Sequence, residues 1–207
     1  MNFSFDSIRS NSHGTGYLKI ILGPMFSGKT TELVRIYNKY NSGNIKCCVV
    51  NHSSDTRYDN SLLSTHDQYK IKSFNCNKLK DIMPFAKEYD VFLINEGQFF
   101  DDLVSVVKYL INNCNRCVYV CGLDGDFKRE KFGQILDLIP YCDDVIKLKA
   151  ICKKCKTKEA IFTHRLTNEK KQTVVGNDNY TALCRKCYTI SMSSIPIALL
   201  TSSAFST

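Results

Sequence analysis

GPMFSGKT, residues 23–30, fits the pattern G-x-x-x-x-G-K-[ST] in full. It follows the apolar run YLKIILG (17–23) and opens a segment with Leu33, Val34, Ile36, Tyr37 and Tyr40 at helical spacings. A strand, a glycine turn and a helix in that order make a phosphate-binding loop. Gly23 and Gly28 allow a turn whose N–H groups point inward at an anion, and the helix start adds the positive end of its dipole. Lys29 is placed to neutralise β- and γ-phosphates, and Thr30 offers a hydroxyl to Mg²⁺. Pro24, Met25, Phe26 and Ser27 complete the loop and are candidates for the same ATP phosphate contacts.

Outward from the loop, short apolar runs alternate with helical segments. CCVVN (47–51), DVFLINE (90–96), RCVYVCGLD (116–124) and DVIKLKAI (144–151) read as further buried strands. IKSF (71–74) reads as a short one. DDLVSVVKYLINN (101–113) reads as an amphipathic helix with acids in its first turn, and 77–88 as a weaker helix that Pro84 ends irregularly. Residues 52–68 are polar and turn-rich, hence a loop. This alternation predicts an α/β fold: a P-loop, RecA-like, mostly parallel sheet flanked by helices. The pattern breaks after Ile151 into paired cysteines and a polar loop, so a P-loop ATP-binding domain is expected over 17–150 and a small zinc-binding domain over 151–190. Residues 1–16, rich in Ser, Asn and Gly, and the serine-rich, uncharged segment 191–207 are expected to be disordered.

The 207 residues are 43% apolar, enough for one sizeable core with a small appendage. No apolar run has the length of a membrane span and no signal-peptide segment opens the chain, so a soluble cytoplasmic protein is expected. The formal charge is +8. Residues 1–144 hold 17 basic and 17 acidic side chains, whereas 145–190 hold 11 basic and 3 acidic. The excess therefore lies in one C-terminal stretch. It suits an anionic ligand or nucleic acid, or is a solvated lysine-rich surface.

Cys152-x₂-Cys155 and Cys184-x₂-Cys187 are two CxxC pairs with 28 residues between them. Four thiolates suit a closed, tetrahedral, structural Zn²⁺ site. The separation exceeds the usual spacing of such sites, so the intervening segment is a real excursion. CNRC (114–117) is a third CxxC, but it has no partner pair and Cys117 falls in a strand pattern, which makes it structural.

In an open parallel sheet, ligands bind at the carboxyl ends of the strands. The phosphate loop ends the first strand and Glu96 ends the run VFLINE, so both can face one crevice. A carboxylate there takes a proton from a substrate hydroxyl, or else only orders the site.

GPMFSGKT, DTRY (55–58), STHD (64–67), NEGQFF (95–100), LDGDF (123–127) with KFGQILDLIP after it, and a CxxC pair on each side of a loop reaching Tyr180 occur in that order. Together they resemble the type II thymidine kinases, the zinc-containing P-loop family, from about Tyr17 to about Tyr188. The resemblance implies transfer of the γ-phosphoryl of ATP to the 5′-hydroxyl of thymidine, with Glu96 as general base, Mg²⁺ accompanying ATP and a structural Zn²⁺ on the four cysteines. Asp55 and Arg57 match the family's nucleotide-side pair near the phosphate loop. Gln98 and Phe99 follow the base, Gln98 also counting with the ATP-side residues. Met25, Leu123, Phe127 and Phe132 match apolar positions around the thymine ring, with Phe127 stacking on it, and Thr163 faces the same pocket. Gln172, Thr173, Val174, Val175 and Gly176 match a lasso whose backbone reads the base edge, and Tyr180 a tyrosine that contacts the substrate. A homotetramer and feedback inhibition by dTTP are also implied.

One position departs from the pattern. The family has Asp-Glu where this chain has Asn95-Glu96, at the place that helps hold Mg²⁺ in P-loop proteins. The amide keeps an acceptor oxygen and loses the charge. A working enzyme with weaker Mg²⁺ dependence or lower turnover is expected. The rival readings are a non-catalytic nucleotide-binding protein, a P-loop ATPase stimulated by nucleic acid, and a kinase of altered base choice.

Overall fold

Runs such as VFLI and VYVC carry apolar side chains on both faces, and such strands need cover on both sides. The computed structural model describes residues 14–53, 62–64, 70–172 and 176–193. In chain order the elements are β1 (Tyr17–Leu22), α1 (Lys29–Ser42), β2 (Cys47–His52), β3 (Leu62–Ser64), β4 (Lys70–Lys72), β5 (Phe74–Cys76), β6 (Val91–Ile94), α2 (Leu103–Asn112), β7 (Cys117–Gly122) and β8 (Asp144–Lys147), followed by β9 (Ala150–Ile151), β10 (Glu159–Ala160), β11 (Phe162–Arg165), β12 (Tyr180–Leu183) and α3 (Arg185–Ser193).

The central sheet has the order β5-β2-β6-β7-β1-β8, and each neighbouring pair is parallel. The chain is therefore α/β as expected. Side chains alternate between two cores. Leu18, Ile20, Phe92, Ile94, Val118 and Val120 face one side with Leu103, Val107 and Leu110 of α2. Ile21, Val49, Val91, Leu93 and Cys121 face the other with Leu33, Val34, Ile36 and Tyr40 of α1. Each fully buried Leu or Ile contributes roughly 1.5–3 kcal/mol of transfer free energy, which makes the sheet a rigid base. The register Val50↔Ile94 and Ile94↔Val120 brings the carboxyl ends of β2, β6 and β7 together, with the loop after β1 beside them.

A third, thinner core holds Ala150, Ala160, Ala182, Leu183 and Tyr188 around the cysteines. It is built from the two-stranded sheets β9–β10 and β11–β12 with α3. Phe26 of the phosphate loop packs against it. Among the described residues, no helix is long and apolar enough to cross a membrane.

Several expectations need correction. Within the expected loop 52–68, β3 pairs antiparallel with β4, Leu62↔Lys72 to Ser64↔Lys70; three residues are too few to show an alternating pattern. The single expected strand 71–74 is two, β4 and β5, and only β5 joins the central sheet. The strand expected over 144–151 divides as well. Leu148 N still donates to Leu22 O at 2.8 Å, and the chain then leaves to pair β9 with β10. The helix expected over 77–88 is a 3-10 turn, Leu79–Phe85, containing Pro84. The carboxylate of Asp102 does not cap its own helix. It accepts from Leu79 N and Lys80 N, both at 2.9 Å, and so ties that turn to the start of α2. α3 runs to Ser193, past the boundary at 190 expected from composition.

Candidate active site

The phosphate loop has the backbone that its glycines permit. Gly28 sits at φ 82°, where a side chain would be strained, and α1 starts directly after it with no side-chain cap. Phe26 also has positive φ, 64°. The Lys29 ammonium is buried and donates to Pro24 O at 2.7 Å, so the cation lies across the loop it would neutralise. Ser27 Oγ is buried with no partner among the described residues. A cationic loop with uncapped helix N–H groups and an orphaned hydroxyl suits a phosphate chain. Met25 N donates to Thr163 Oγ1 at 3.0 Å, which fastens the loop to β11.

At the end of β6, the strand stops at Ile94 and not at Glu96. Asn95 is buried, and its amide is fully oriented. Nδ2 donates to Asn51 Oδ1 at 2.9 Å, while Oδ1 accepts from Cys121 Sγ at 3.0 Å and from Thr30 Oγ1 at 3.5 Å. The contact to Thr30 joins the β6 terminus to the phosphate loop. Thr30 and Asn95 present two oxygen donors side by side, a set that suits Mg²⁺, although neither carries charge.

Glu96 adopts φ 53° and ψ 44°, a left-handed conformation that costs a non-glycine residue on the order of 1 kcal/mol. The turn directs its carboxylate to Gln98, whose Nε2 donates to Glu96 Oε2 at 2.6 Å. The other end of that amide, Oε1, accepts from Leu123 N at 3.1 Å. Gln98 thus fixes the carboxylate against the end of β7, and its own place is beside Glu96. Gly122 makes this possible: a Cβ there would meet Gln98 Oε1 at 2.3 Å. Phe99 meets Phe132 edge-on with centroids 5.4 Å apart.

Phe127 lies at the junction with the C-terminal unit. Its carbonyl accepts from Tyr188 Oη at 2.6 Å, and the Arg165 guanidinium sits over its ring, 3.8 Å from the centroid. Gln172 Nε2 donates to Asp126 Oδ2 at 3.1 Å. Tyr180 Oη accepts from Arg165 Nη2 at 2.5 Å. Gly176 has φ 114° and is exposed. Asp55, Arg57, Thr173, Val174 and Val175 lie outside the described residues. Sequence reading missed Arg165, Asp126 and Asn51. For Asn51 a signal exists: CCVV and VFLI are apolar runs on adjacent parallel strands, and each is followed directly by an asparagine near the carboxyl end of its strand.

The sulfurs of Cys152, Cys155, Cys184 and Cys187 all lie within 4.8 Å of one another, with Cys155 and Cys184 at 3.9 Å. Tetrahedral Zn²⁺ with Zn–S bonds of about 2.3 Å needs sulfurs roughly 3.8 Å apart, so the donor set fits. The Thr157 hydroxyl and N–H hold the Cys155 thiol down to about 6. Burial, then hydrogen bonds from the neighbouring sulfurs, push Cys187 up to about 12.

The thymidine kinase family profile matches residues 16–188. The chain is 41% identical to the thymidine kinase of sheeppox virus over 174 residues, 84% of this chain and 97% of that protein. It is 42% identical to that of vaccinia virus (strain Ankara) over the same shares, and 41% identical over 191 residues to the cytosolic thymidine kinase of Bos taurus, covering 92% and 79%. The profile match spans the first strand, the β6 terminus and both cysteine pairs, and the chain belongs to the thymidine kinase family.

Proposed function

We propose that the chain transfers the γ-phosphoryl group of ATP to the 5′-hydroxyl of thymidine, giving dTMP and ADP. One observation carries the reading. A buried carboxylate, Glu96, is held at 2.6 Å by Gln98, one residue after the side chain that meets Thr30 of the phosphate loop. Phosphoryl transfer asks mainly for positioning and charge neutralisation. The nucleoside oxygen bonds to the γ-phosphorus as the bond to the β-bridging oxygen breaks, and ADP leaves with that electron pair. Glu96 takes the 5′-hydroxyl proton. Lys29 and the loop N–H groups neutralise the phosphates, with Asp55 and Arg57 on the nucleotide side. Mg²⁺ bound with ATP would supply further charge neutralisation, held by Thr30 and Asn95.

The thymine ring is read as lying among Met25, Leu123, Phe132, Phe99 and Thr163, against the face of Phe127 opposite Arg165. Residues 172–176 and Tyr180 would close the other side. In this reading 17–150 form the ATP-binding domain, and Zn²⁺ on the four cysteines anchors both ends of the lasso in 151–190. A cytoplasmic homotetramer inhibited by dTTP accompanies the reading by family resemblance.

The test is ADP release by the purified protein with thymidine, deoxyuridine, deoxycytidine and single-stranded DNA in parallel. Turnover should follow thymidine. Turnover that follows single-stranded DNA, or ATP binding with no turnover on any nucleoside, would overturn the reading.

A further inference from the structure

We propose that Arg165 is a positioning residue for the nucleoside: its guanidinium sets the distance between the segment 169–172, Tyr180 and the ring of Phe127. The proposal rests on the thymidine kinase reading above.

Arg165 is 4% exposed, although it carries a permanent charge. Among the described residues no carboxylate pairs with it. Its donors go to the carbonyls of the stretch 169–172 and to Tyr180 on the neighbouring strand. Nη1 donates to Glu169 O at 2.9 Å and also to Lys171 O, and Nη2 donates to Gln172 O at 2.8 Å and to Tyr180 Oη at 2.5 Å. Its plane covers Phe127 at 3.8 Å and lies 5.0 Å from the Tyr180 ring. Nε is buried with no partner among the described residues.

Burying a charge without a counter-charge is costly, and carbonyl dipoles and ring faces offset the cost only if they stay in place. A guanidinium can do this because its donors form a flat fork, whereas a lysine offers one compact point. The same strand face carries Thr163, two residues away, which accepts from Met25 N of the phosphate loop. β11 therefore touches the phosphate loop with one side chain and the segment beyond 168 with the next. Gln172 is held twice, by its carbonyl on Arg165 and by its side chain on Asp126, the neighbour of Phe127. Moving the guanidinium would shift Gln172, Tyr180 and Phe127 relative to one another and leave Lys29 and Glu96 in place.

The experiment compares Arg165→Lys and Arg165→Gln with the wild type. It reads KM for thymidine, KM for ATP, kcat and bound zinc. The expected result is a thymidine KM raised roughly tenfold or more, since several charge-assisted bonds are lost. KM for ATP should stay within about twofold, with zinc content unchanged. Thymidine and ATP constants that rise together, a thymidine KM that does not move, or loss of zinc in both variants would overturn the proposal. A wild type without thymidine-dependent ADP release would instead refute the underlying function, so the two failures are distinguishable.

Discussion

Asn95 Nδ2 donates to Asn51 Oδ1 at 2.9 Å, so the residue directly after β6 has an amide partner on the neighbouring strand. This bond fixes the orientation of Asn95. With Nδ2 committed, its oxygen is the atom that faces Thr30. Asn95→Asp puts a carboxylate at the same place, and the Asn51 amide can turn to donate to it. Added charge beside Thr30 should hold Mg²⁺ more tightly. The expected outcome is a lower Mg²⁺ midpoint and a turnover raised several-fold, read as ADP release across Mg²⁺ concentrations. An unchanged rate with an unchanged midpoint would show that residue 95 does not face the metal.

Glu96→Gln keeps the shape of the side chain and removes its capacity to take a proton. General-base loss of this kind costs about 10²–10⁴ in rate. ATP affinity, set by the loop around Lys29, should be preserved. Titration calorimetry with ATP and a turnover assay on the same preparation check both halves. Full activity would remove Glu96 as the base.

Two glycines near the site exist for opposite reasons, and alanine separates them. At Gly28 a Cβ would meet nothing within 4 Å, so the cost is the backbone at φ 82°. Gly28→Ala should lower stability by about 1–2 kcal/mol. At Gly122 the space is taken: a Cβ would lie 2.3 Å from Gln98 Oε1 and 2.8 Å from Ile135 Cδ1. Gly122→Ala should displace Gln98 and release Glu96, lowering kcat by tenfold or more at nearly constant KM for ATP. Thermal melting and steady-state kinetics on both variants distinguish the cases. A normal kcat in Gly122→Ala would mean that Gln98 does not hold the base.

Much of this was legible in the sequence because it depends on local chemistry. Gly23 to Thr30 specify a turn and a helix start within eight residues, and VFLI must be a strand covered on both faces. The paired cysteines announce their own geometry through their spacing. What was not legible depends on contacts between distant segments. Nothing near Arg165 in the chain shows that it lies over Phe127 and gathers three carbonyls from 169–172. Asp102 reads as a first-turn acid of the helix over 101–113 and instead precedes that helix and holds Leu79 N. The break between β8 and β9 depends on where the C-terminal unit leaves the sheet, which an apolar run cannot record.

Removing zinc tests whether the two halves of the molecule depend on it equally. The core around the cysteines buries few large side chains fully; besides the cysteines it holds Ala150, Ala160, Ala182, Leu183 and Tyr188, with Phe26, Phe162 and Met192 partly buried against them. Clusters this small seldom stand alone, and a structural metal often supplies the missing free energy, on the order of 10 kcal/mol for small zinc modules. The central sheet buries two full cores and needs no such support. Chelation should therefore unfold the region around β9 to α3 first. Thr163 and Arg165 would lose their places, and thymidine-dependent turnover would vanish. ATP should still bind at the phosphate loop, weakened by the loss of the Met25–Thr163 contact. The measurement is ATP binding and turnover before and after chelation, with zinc quantified in each sample. Full turnover in metal-free protein would show that the four sulfurs hold the fold without an ion.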